Sequence, residues 1–324
     1  MPLDEAIARE ALAPGGTLDE LDASFDVLGR RYSGKVRENF TRGHERVIVV
    51  TDRVSAFDVV LGTIPFKGQV LNQMARYWFE QAAELFPHHM LSVPDPQAMK
   101  VMECAPIPVE MVVRGYLTGS SSTSIWRAYE RGDRVFCGHR LAEGMRKHEK
   151  LPQGIVTPST KAAKGEHDES VSKDELFRRG LIDATLYEQL EQRCLALFAF
   201  GQRLARERGL ILVDTKYELG RAPSGEIVLI DEIHTPDSSR YWYVEGYEQA
   251  IKTGEDPRPI DKEYVRRWLL SQGFHGDGRP PPLAPEVRIE AAKRYVEAFE
   301  VITGRTFTPN RAAPVPRLHN NLAV

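Results

Sequence analysis

The chain has 324 residues, with 43 Lys and Arg against 46 Asp and Glu, so its formal net charge is −3. Hydrophobic residues make up 42% of it and charged residues 27%, which is typical of a globular protein with a sizeable core and excludes a disordered chain. The near-neutral charge gives no reason to expect wrapping of nucleic acid or adhesion to an anionic membrane.

The cysteines and the N-terminal segment indicate the compartment. Cys104, Cys137 and Cys194 are odd in number and far apart, which argues against a disulfide framework. The N-terminal segment is acidic and lacks the apolar core of a signal peptide, and no run of about 20 apolar residues is present. These features predict a protein of the reducing cytoplasm.

The first third of the chain is predicted to be rich in strands. Short β-branched or apolar runs at 46–51, 58–66 and 106–117 favour strands. Between them, apolar residues at helical spacing over 69–86 predict a helix that Pro87 ends.

The middle of the chain alternates between helices and a polar segment. The stretch GSSSTS leads into a short predicted helix at 125–132. Residues 148–172 are polar and are predicted to form a long loop, which is either functional or disordered. Residues 183–209 form the clearest predicted helix, closed by Gly209.

The last third predicts a hairpin followed by helices. Two apolar runs flank the turn sequence GRAPSG at 220–225, which is the pattern of a β-hairpin. Helices are predicted at 261–271 and 286–303, with a proline-rich link between them. The order of elements predicts an α+β fold with a small β-rich N-terminal subdomain, 1–117, and a larger C-terminal one, 118–324.

The hairpin carries an unusual density of charge. Asp214, Lys216 and Glu218 are two positions apart, so they share one face of a strand. A hairpin closing between the two glycines of GRAPSG would set Asp231 roughly opposite Asp214. The carboxylates on this face either hold a hard cation such as Mg²⁺, or form ordinary ion pairs on a solvated sheet face.

Two N-terminal stretches have the chemistry of ligand-binding turns. In SGKVRENF, a glycine precedes Lys35, which suits phosphate binding, although the spacing of a Walker motif is missing. In TDRVSAFDVV, Ser55 and Asp58 follow a predicted strand, where ligand groups are common. Each stretch is also compatible with an ordinary surface turn.

A third candidate combines an arginine with a Gly-Ser turn. Arg114 lies in a β-branched run, where a charge is costly unless it is paired or faces a cavity. Residues 119–122 offer backbone and hydroxyl donors without bulk, which suits an anion, and they also suit the N-cap of the helix that follows. Farther on, Lys161 and Asp168 lie in the polar segment and suit a mobile lid or a disordered surface loop.

Together these stretches resemble one family, phosphoribosylaminoimidazole-succinocarboxamide synthase, or SAICAR synthetase, of purine biosynthesis. The length and the GEHDE sequence are similar to its longer, yeast-like form. One departure is Leu219, where the family usually has phenylalanine. The six matching motifs occur in the family's order: GKVREN (34–39), TDRVSAFD (51–58), PIPVEMVVRGYLTGS (106–120), TPSTKAAKGEHDE (157–169), LVDTKYELG (212–220) and DEIHTPDSSRYW (231–242).

The resemblance implies a fold related to ATP-grasp enzymes, with ATP between two subdomains. It also implies ATP-dependent ligation of carboxyaminoimidazole ribotide (CAIR) and L-aspartate to give SAICAR, ADP and phosphate, with Mg²⁺ as cofactor. The residues that it assigns to ATP are Lys35 on the phosphates, Cys104 to Pro106 along the adenine, Glu110 near the ribose, and Lys161 on a lid that acts when it closes.

The remaining roles follow from the same resemblance. Mg²⁺ is assigned to Glu218 and Asp231, and the residues expected to act in catalysis are these two with Lys216 and Arg240. The substrate-binding residues are expected to be Ser55, Asp58, Arg114, Ser120, Asp168, Asp214, Asp237, Ser239 and Arg240.

Two other functions remain open from the residues alone. One is a different ATP-dependent small-molecule kinase or ligase on the same scaffold, and the other is a non-catalytic nucleotide-binding protein. The long form resembles members expected to be monomeric, while the proline-rich link and the last helix also suit an interface.

Overall fold

A computed structural model describes residues 3–57, 59–121, 123–160, 169–260, 264–276 and 278–324. The described part is a mixture of helices and antiparallel strands, so the predicted α+β class is confirmed. The helices are α1 (Glu5–Glu10), α2 (Lys67–Ala82), α3 (Ile125–Glu130), α4 (Lys173–Arg178), α5 (Ala184–Glu207), α6 (Tyr247–Thr253), α7 (Tyr264–Ser271), α8 (Pro285–Thr303) and α9 (Pro314–Leu322), with a 3₁₀ turn at Ala23–Leu28.

The strands are short except for one in the second half of the chain. They are β1 (Arg30–Ser33), β2 (Arg37–Arg42), β3 (Glu45–Val50), β4 (Arg53–Ala56), β5 (Val59–Thr63), β6 (Met90–Asp95), β7 (Ala98–Met102), β8 (Ala105–Pro106), β9 (Val109–Tyr116), β10 (Val135–Phe136), β11 (His139–Arg140), β12 (Lys150–Val156), β13 (Ser159–Thr160), β14 (Glu169–Ser170), β15 (Leu210–Arg221), β16 (Ile227–Ile230) and β17 (Ser239–Tyr243).

The chain divides into two compact units. Unit 1 comprises Met1–Glu80, His89–Glu103 and Asp261–Val324, and unit 2 comprises Gln81–His88 and Cys104–Ile260. This division differs from the single boundary at 117/118 predicted from the sequence. Strand β9 lies N-terminal to that boundary, yet it pairs with β15 of unit 2, and the C-terminal helices return to unit 1.

Unit 1 contains a five-stranded antiparallel sheet in the order β1-β2-β3-β7-β6. Its strands come from two separate stretches of sequence, and the C-terminal helix α9 contributes Leu318 to the same core. Burial of these apolar side chains is the main favourable term that holds the distant segments together. The core cluster consists of Leu18, Leu21, Phe25, Phe40, Val49, Ala98 and Leu318.

Unit 2 is organised around the twelve-residue strand β15. The main path of its sheet is β14-β13-β9-β15-β16, with β12 paired to β9 and with β8 and β17 paired to β15. Helix α5 packs on this sheet, and a Cβ added at Gly115 of β9 would meet the Phe198 ring at 3.2 Å. The close approach of helix and sheet therefore depends on a small residue at this position.

The strongest sequence patterns are confirmed. Helix α5 begins after Asp183, whose side chain accepts from the backbone N–H of Leu186 at 2.8 Å, and Gly209 follows its end with φ +71°. The hairpin of β15 and β16 lies where it is predicted, and so does helix α2, although it ends at Ala82 and not at Pro87. Within the described residues, no helix is long and apolar enough to cross a membrane.

The prediction of a long loop at 148–172 is wrong for its described part. Strand β12 pairs with β9, and the short strands β13 and β14 extend the same sheet. Lys150, Gln153 and Glu169 are exposed on these strands, so the composition of the segment resembles that of a loop. Residues 161–168, with Lys161 and Asp168, lie outside the described residues.

Candidate active site

One face of the unit 2 sheet collects the charged residues of two neighbouring strands. In the register of β9 and β15, Arg114 lies opposite Asp214 and Val112 lies opposite Lys216. Since side chains alternate along a strand, Asp214, Lys216 and Glu218 share a face, as predicted. Tyr217 and Leu219 point the other way and are buried, so the substitution of leucine at 219 affects packing only.

The first group on this face is a cationic cluster, formed by Arg114, Asp214 and Arg240. Arg240 donates from Nε to Oδ1 of Asp214 at 2.9 Å, and Nη1 of Arg114 lies 3.6 Å from Oδ2 of the same carboxylate. Arg114 also donates from Nε to the hydroxyl of Thr157 at 2.8 Å. Two guanidinium groups against one carboxylate leave the cationic cluster with a net positive charge.

The two arginines of the cationic cluster differ in exposure. The Arg114 side chain is 11% exposed and that of Arg240 is 41% exposed. Burial lowers the pKa of Arg114, the Asp214 carboxylate opposes that shift, and the neighbouring Arg240 adds to it. A guanidinium stays protonated throughout the physiological range, so both remain cations, and Arg240 is the one that an anionic ligand reaches from solvent.

The second group is an anionic cluster, formed by Glu110, Lys216 and Glu218. The Nζ atom of Lys216 lies 3.0 Å from Oε1 of Glu110 and also contacts Oε1 of Glu218. Burial disfavours the ammonium, but Glu218, Glu110 and Asp231 outweigh burial and raise the pKa of Lys216 above its ordinary value. Lys216 therefore stays charged at neutral pH, surrounded by an excess of carboxylates.

Asp231 does not lie opposite Asp214, so the predicted register is wrong. The hairpin pairs Arg221 with Ile227 and Glu218 with Ile230, which places Asp231 one residue beyond the end of β16. Asp214 is paired with Arg114 on one side and with Arg240 on the other. At Asp231 the backbone takes φ +64°, so the chain leaves the ladder there, and its carboxylate still acts on Lys216.

The Gly-Ser turn lies beside the cationic cluster. A Cβ added at Gly119 would lie 3.6 Å from Nη1 of Arg240, and Ser120 follows as an exposed residue. The N-cap of α3 is Ser124, whose hydroxyl accepts from the N–H of Arg127 at 3.4 Å. The N-cap is therefore Ser124, which lies beyond residues 119–122, and the anion-binding role of Ser120 remains a prediction.

Two predicted substrate residues of the DEIHTPDSSRYW motif are placed differently from Arg240. Ser239 precedes Arg240 in β17, so its side chain points to the other face of the sheet, where its hydroxyl donates to Thr215 Oγ1 at 2.7 Å. Asp237 is half-buried in the turn before β17. The roles of both remain predictions.

The segment predicted to line the adenine is strand β8 and its flanks. Pro106 lies opposite Gly220 of β15 and is exposed, whereas Cys104 is buried. A Cβ added at Gly220 would lie 2.9 Å from Cβ of Cys104, so the strand approaches β15 closely at this glycine. Glu110, predicted near the ribose, is bound to Lys216.

The other candidates belong to unit 1. Lys35 is exposed in the turn between β1 and β2, and Ser55 is half-buried in β4. Asp58 lies outside the described residues. The roles of Lys35 and Ser55 remain predictions.

Sequence reasoning did not identify Thr157 as part of the candidate site. Its hydroxyl accepts from Arg114 and its backbone N–H donates to the carbonyl of Val112 at 2.8 Å. Its signal in the sequence is its position as the first residue of the motif TPSTKAAKGEHDE, within the segment 148–172 that is predicted to be a loop. The pairing of β12 with β9 supplies the missing information.

The sequence profile of SAICAR synthetase matches residues 30–281, which include every described residue of both clusters. The chain belongs to the SAICAR synthetase family. It is 48% identical to the phosphoribosylaminoimidazole-succinocarboxamide synthase of Bacteroides thetaiotaomicron over 90% of this chain and 92% of the relative. It is also 43% identical to that of Legionella pneumophila (strain Lens) over 86% of this chain and 89% of the relative.

Solved structures of SAICAR synthetases share the fold. The enzyme from Saccharomyces cerevisiae, determined with SAICAR, matches with a TM-score of 0.78 at 26% identity, covering 90% of this chain and all of the yeast chain. A type-2 SAICAR synthetase determined with ADP matches with a TM-score of 0.64 at 22% identity, covering 86% of this chain and all of the other, and shows the fold alone. The predicted family is confirmed, and with it an ATP-binding ligase of purine biosynthesis.

Proposed function

We propose that this chain joins CAIR to L-aspartate, using ATP, to give SAICAR, ADP and phosphate. The observation that carries the proposal is the arrangement on one sheet face. A cationic cluster suited to an anionic ribotide lies two residues along β15 from an anionic cluster built around one ammonium. A ligase that uses ATP to activate a carboxylate needs a site for each kind of charge.

The ribotide is assigned to the cationic cluster. Arg240 is oriented by Asp214 through two parallel hydrogen bonds, so its guanidinium fork is held in place before the ligand arrives. Arg114 is braced by Thr157 and adds a second positive charge behind it. With Gly119 and Ser120 alongside, these groups can bind the phosphate or the carboxylate of CAIR.

The chemistry proceeds in two steps that need no enzyme nucleophile. An oxygen of the CAIR carboxylate attacks the γ-phosphorus of ATP, the bond to the β-phosphate oxygen breaks, and an acyl phosphate and ADP form. The amine of aspartate then attacks the acyl carbon, phosphate leaves, and the amine loses a proton. Burial raises the pKa of the Cys137 thiol to about 11 and also raises that of Cys194, so neither is a thiolate nucleophile at neutral pH.

Lys216 is assigned to the phosphoryl group in transfer. Its raised pKa keeps it an ammonium at neutral pH, and the two flanking glutamates hold Nζ at the surface of the sheet. A fixed positive charge stabilises a transition state most where negative charge moves between oxygens, as it does during phosphoryl transfer. Lys216 would therefore stabilise the transition state of the first step.

Glu218 and Asp231 suit a substrate-bound Mg²⁺ more than a metal site made of protein alone. Among the described residues, no three Asp, Glu, His or Cys side chains converge on one point. Mg²⁺ in nucleotide enzymes usually takes one or two carboxylates and completes its shell with phosphates and water. When bound, the ion would neutralise charge on the triphosphate.

The remaining roles come from the family resemblance. Lys35 is assigned to the ATP phosphates, Cys104 to Pro106 to the adenine, Glu110 to the ribose, and Lys161 to ATP binding when the lid closes. Ser55, Asp58, Asp168, Asp214, Asp237 and Ser239 are assigned to substrate binding. A cytoplasmic location and a monomeric state belong to the same proposal.

The test is release of ADP with each substrate omitted in turn. We expect ADP over many turnovers only when ATP, CAIR and L-aspartate are all present, with SAICAR formed in equal amount. ADP formed over many turnovers without aspartate and without SAICAR would indicate a kinase. No ADP under any condition would indicate a nucleotide-binding protein without catalytic activity.

A further inference from the structure

The turn that carries Lys35 is held by its backbone carbonyls. Arg53 donates from Nη2 to the carbonyl of Gly34 at 3.0 Å and from Nε to the carbonyl of Lys35 at 2.9 Å. The next carbonyl, that of Val36, accepts from the backbone N–H of Thr51 at 3.0 Å and from its hydroxyl at 2.8 Å. Three successive carbonyls of the turn are thus bound by two neighbouring residues of another segment.

The remaining donors of Arg53 are also used inside the protein. Nη1 donates to the carbonyl of Asp19 at 2.7 Å, and Nη2 donates to Oε1 of Glu38 at 2.8 Å. Arg53 is 7% exposed and Glu38 is 2% exposed. Although Arg53 lies in the TDRVSAFD motif, its guanidinium binds the protein's own backbone and a buried carboxylate, which leaves no role for it as a direct ligand of substrate.

The bound carbonyls determine where the amides of the turn point. In a trans peptide the C=O of one residue and the N–H of the next point in opposite directions. The carbonyls of Gly34 and Lys35 point to Arg53, so the N–H groups of Lys35 and Val36 point away from it. Successive amides that project together, next to a lysine, have the chemistry of a phosphate-binding turn.

We infer that Arg53 is a positioning residue for the nucleotide: it draws the carbonyls of Gly34 and Lys35 inward and so presents the amides and the side chain of Lys35 to the ATP phosphates. The inference rests on the proposed role of Lys35 in ATP binding. Arg53 itself does not touch the nucleotide. Lysine in its place keeps the charge but has three donors on a single nitrogen, so it cannot reach the three carbonyls and the Glu38 carboxylate that the planar fork of Arg53 binds.

The chain offers a matched control in Arg317. It also lies in unit 1, is 6% exposed, donates from Nε to the buried Asp95 at 2.9 Å and donates from Nη1 to the carbonyl of Ala312 at 3.2 Å. Arg53→Lys and Arg317→Lys remove the same kind of interaction from equally buried sites. Of the two arginines, only Arg53 contacts the turn that carries Lys35 directly.

The experiment measures KM for ATP, CAIR and aspartate, ADP affinity by calorimetry in Mg²⁺ buffer, and Tm. Arg53→Lys should weaken ADP binding and raise KM for ATP roughly tenfold, with the other two KM values within about twofold, since charge-assisted hydrogen bonds that order the phosphate turn are lost. Arg317→Lys should lower Tm about as much as Arg53→Lys does, but it should leave ATP and ADP binding unchanged. Thr51→Val, which removes a single hydroxyl, should also raise KM for ATP and weaken ADP binding, but by a smaller factor.

Two results would overturn the inference, and Lys35→Ala separates them. If Lys35→Ala weakens ADP binding while Arg53→Lys and Thr51→Val do not, Arg53 has no positioning role and the proposed function stands. If Lys35→Ala also leaves ADP binding unchanged, the assignment of the turn to the phosphates is wrong, and the inference fails with it. Should Arg53→Lys not fold, the Thr51→Val measurement decides alone.

Discussion

Arg240 and Asp214 face each other on paired strands and are joined side chain to side chain, with Nε of Arg240 donating to Oδ1 of Asp214 at 2.9 Å. A second bond runs from Nη2 to the other carboxylate oxygen. The register of β15 and β17 and the ion pair therefore fix the same orientation of the guanidinium. The Asp214 carboxylate is buried, whereas the Arg240 side chain is 41% exposed. Asp214 therefore holds Arg240 in place from inside the protein, and the guanidinium remains accessible to a ligand.

Arg240→Ala should raise KM for CAIR by roughly 10- to 100-fold, the loss expected for a charge-assisted bidentate contact to an anion. KM for ATP should change by less than about threefold, because Lys35 and not Arg240 is assigned to the phosphates of ATP. Steady-state kinetics with each substrate varied in turn measures the difference. Arg127→Ala, which removes an exposed arginine paired with Glu130, is the control and should leave all constants unchanged. An equal rise for ATP and CAIR would remove Arg240 from the ribotide site.

Asp231→Asn should lower kcat by on the order of 100-fold or more, because one of the two proposed Mg²⁺ ligands loses its charge. The protein should stay folded. Asparagine tolerates the φ of +64° at this position as well as aspartate does, so backbone strain is not introduced. The activity of the variant should also require a higher concentration of Mg²⁺. Circular dichroism and Tm check the fold. Asp133→Asn, at an exposed loop position, is the matched control. Activity near wild type would exclude Asp231 as a metal ligand.

His234 should make the protein less stable as the pH falls. Burial lowers its pKa to about 3, from an ordinary value near 6.5. Between these values the unfolded chain binds a proton that the folded chain does not, so the free energy of unfolding should fall by about 1.4 kcal/mol per pH unit from this group. Urea unfolding between pH 7 and pH 4 should show a shallower slope for His234→Gln. The exposed His275→Gln should keep the wild-type slope. Equal slopes in wild type and His234→Gln would show that His234 titrates normally.

The sequence predicted what local patterns determine. Helix α5 and the shared face of Asp214, Lys216 and Glu218 follow from helical periodicity, a closing glycine and strand alternation, all of which act over a few residues. The hairpin turn followed in the same way from its glycines. The fold family needed more than these patterns, and it came from six motifs in order.

Features that depend on distant partners were not predicted. The polar segment around Thr157 becomes a strand because β9 offers an open edge, and nothing within the segment specifies that partner. The position of Asp231 relative to β15 depends on the residue at which β16 ends. The apolar sequence of the strand does not specify that residue. Arg53 has the polar character of a ligand residue, and only its four hydrogen-bonded partners in space reveal that it supports a turn.

Gly220→Ala should lower the free energy of unfolding by about 1–3 kcal/mol, the usual cost of overpacking a filled site. The new Cβ would lie 2.9 Å from Cβ of Cys104 and 3.0 Å from Cγ2 of Ile230, neither of which is the end of a flexible side chain. The control is Gly154→Ala in the same sheet, where the nearest side-chain atom, Cδ2 of Leu195, would be 3.6 Å away. That change should be neutral or slightly stabilising, since alanine restricts the unfolded chain more than glycine does. Denaturant melts of the two variants measure the difference.

Gly220 supports β8, whose residues are assigned to the adenine. KM for ATP should therefore rise in Gly220→Ala and not in Gly154→Ala. A Gly220→Ala protein as stable as wild type would show that β8 moves aside without cost, and the close approach would then have no structural role.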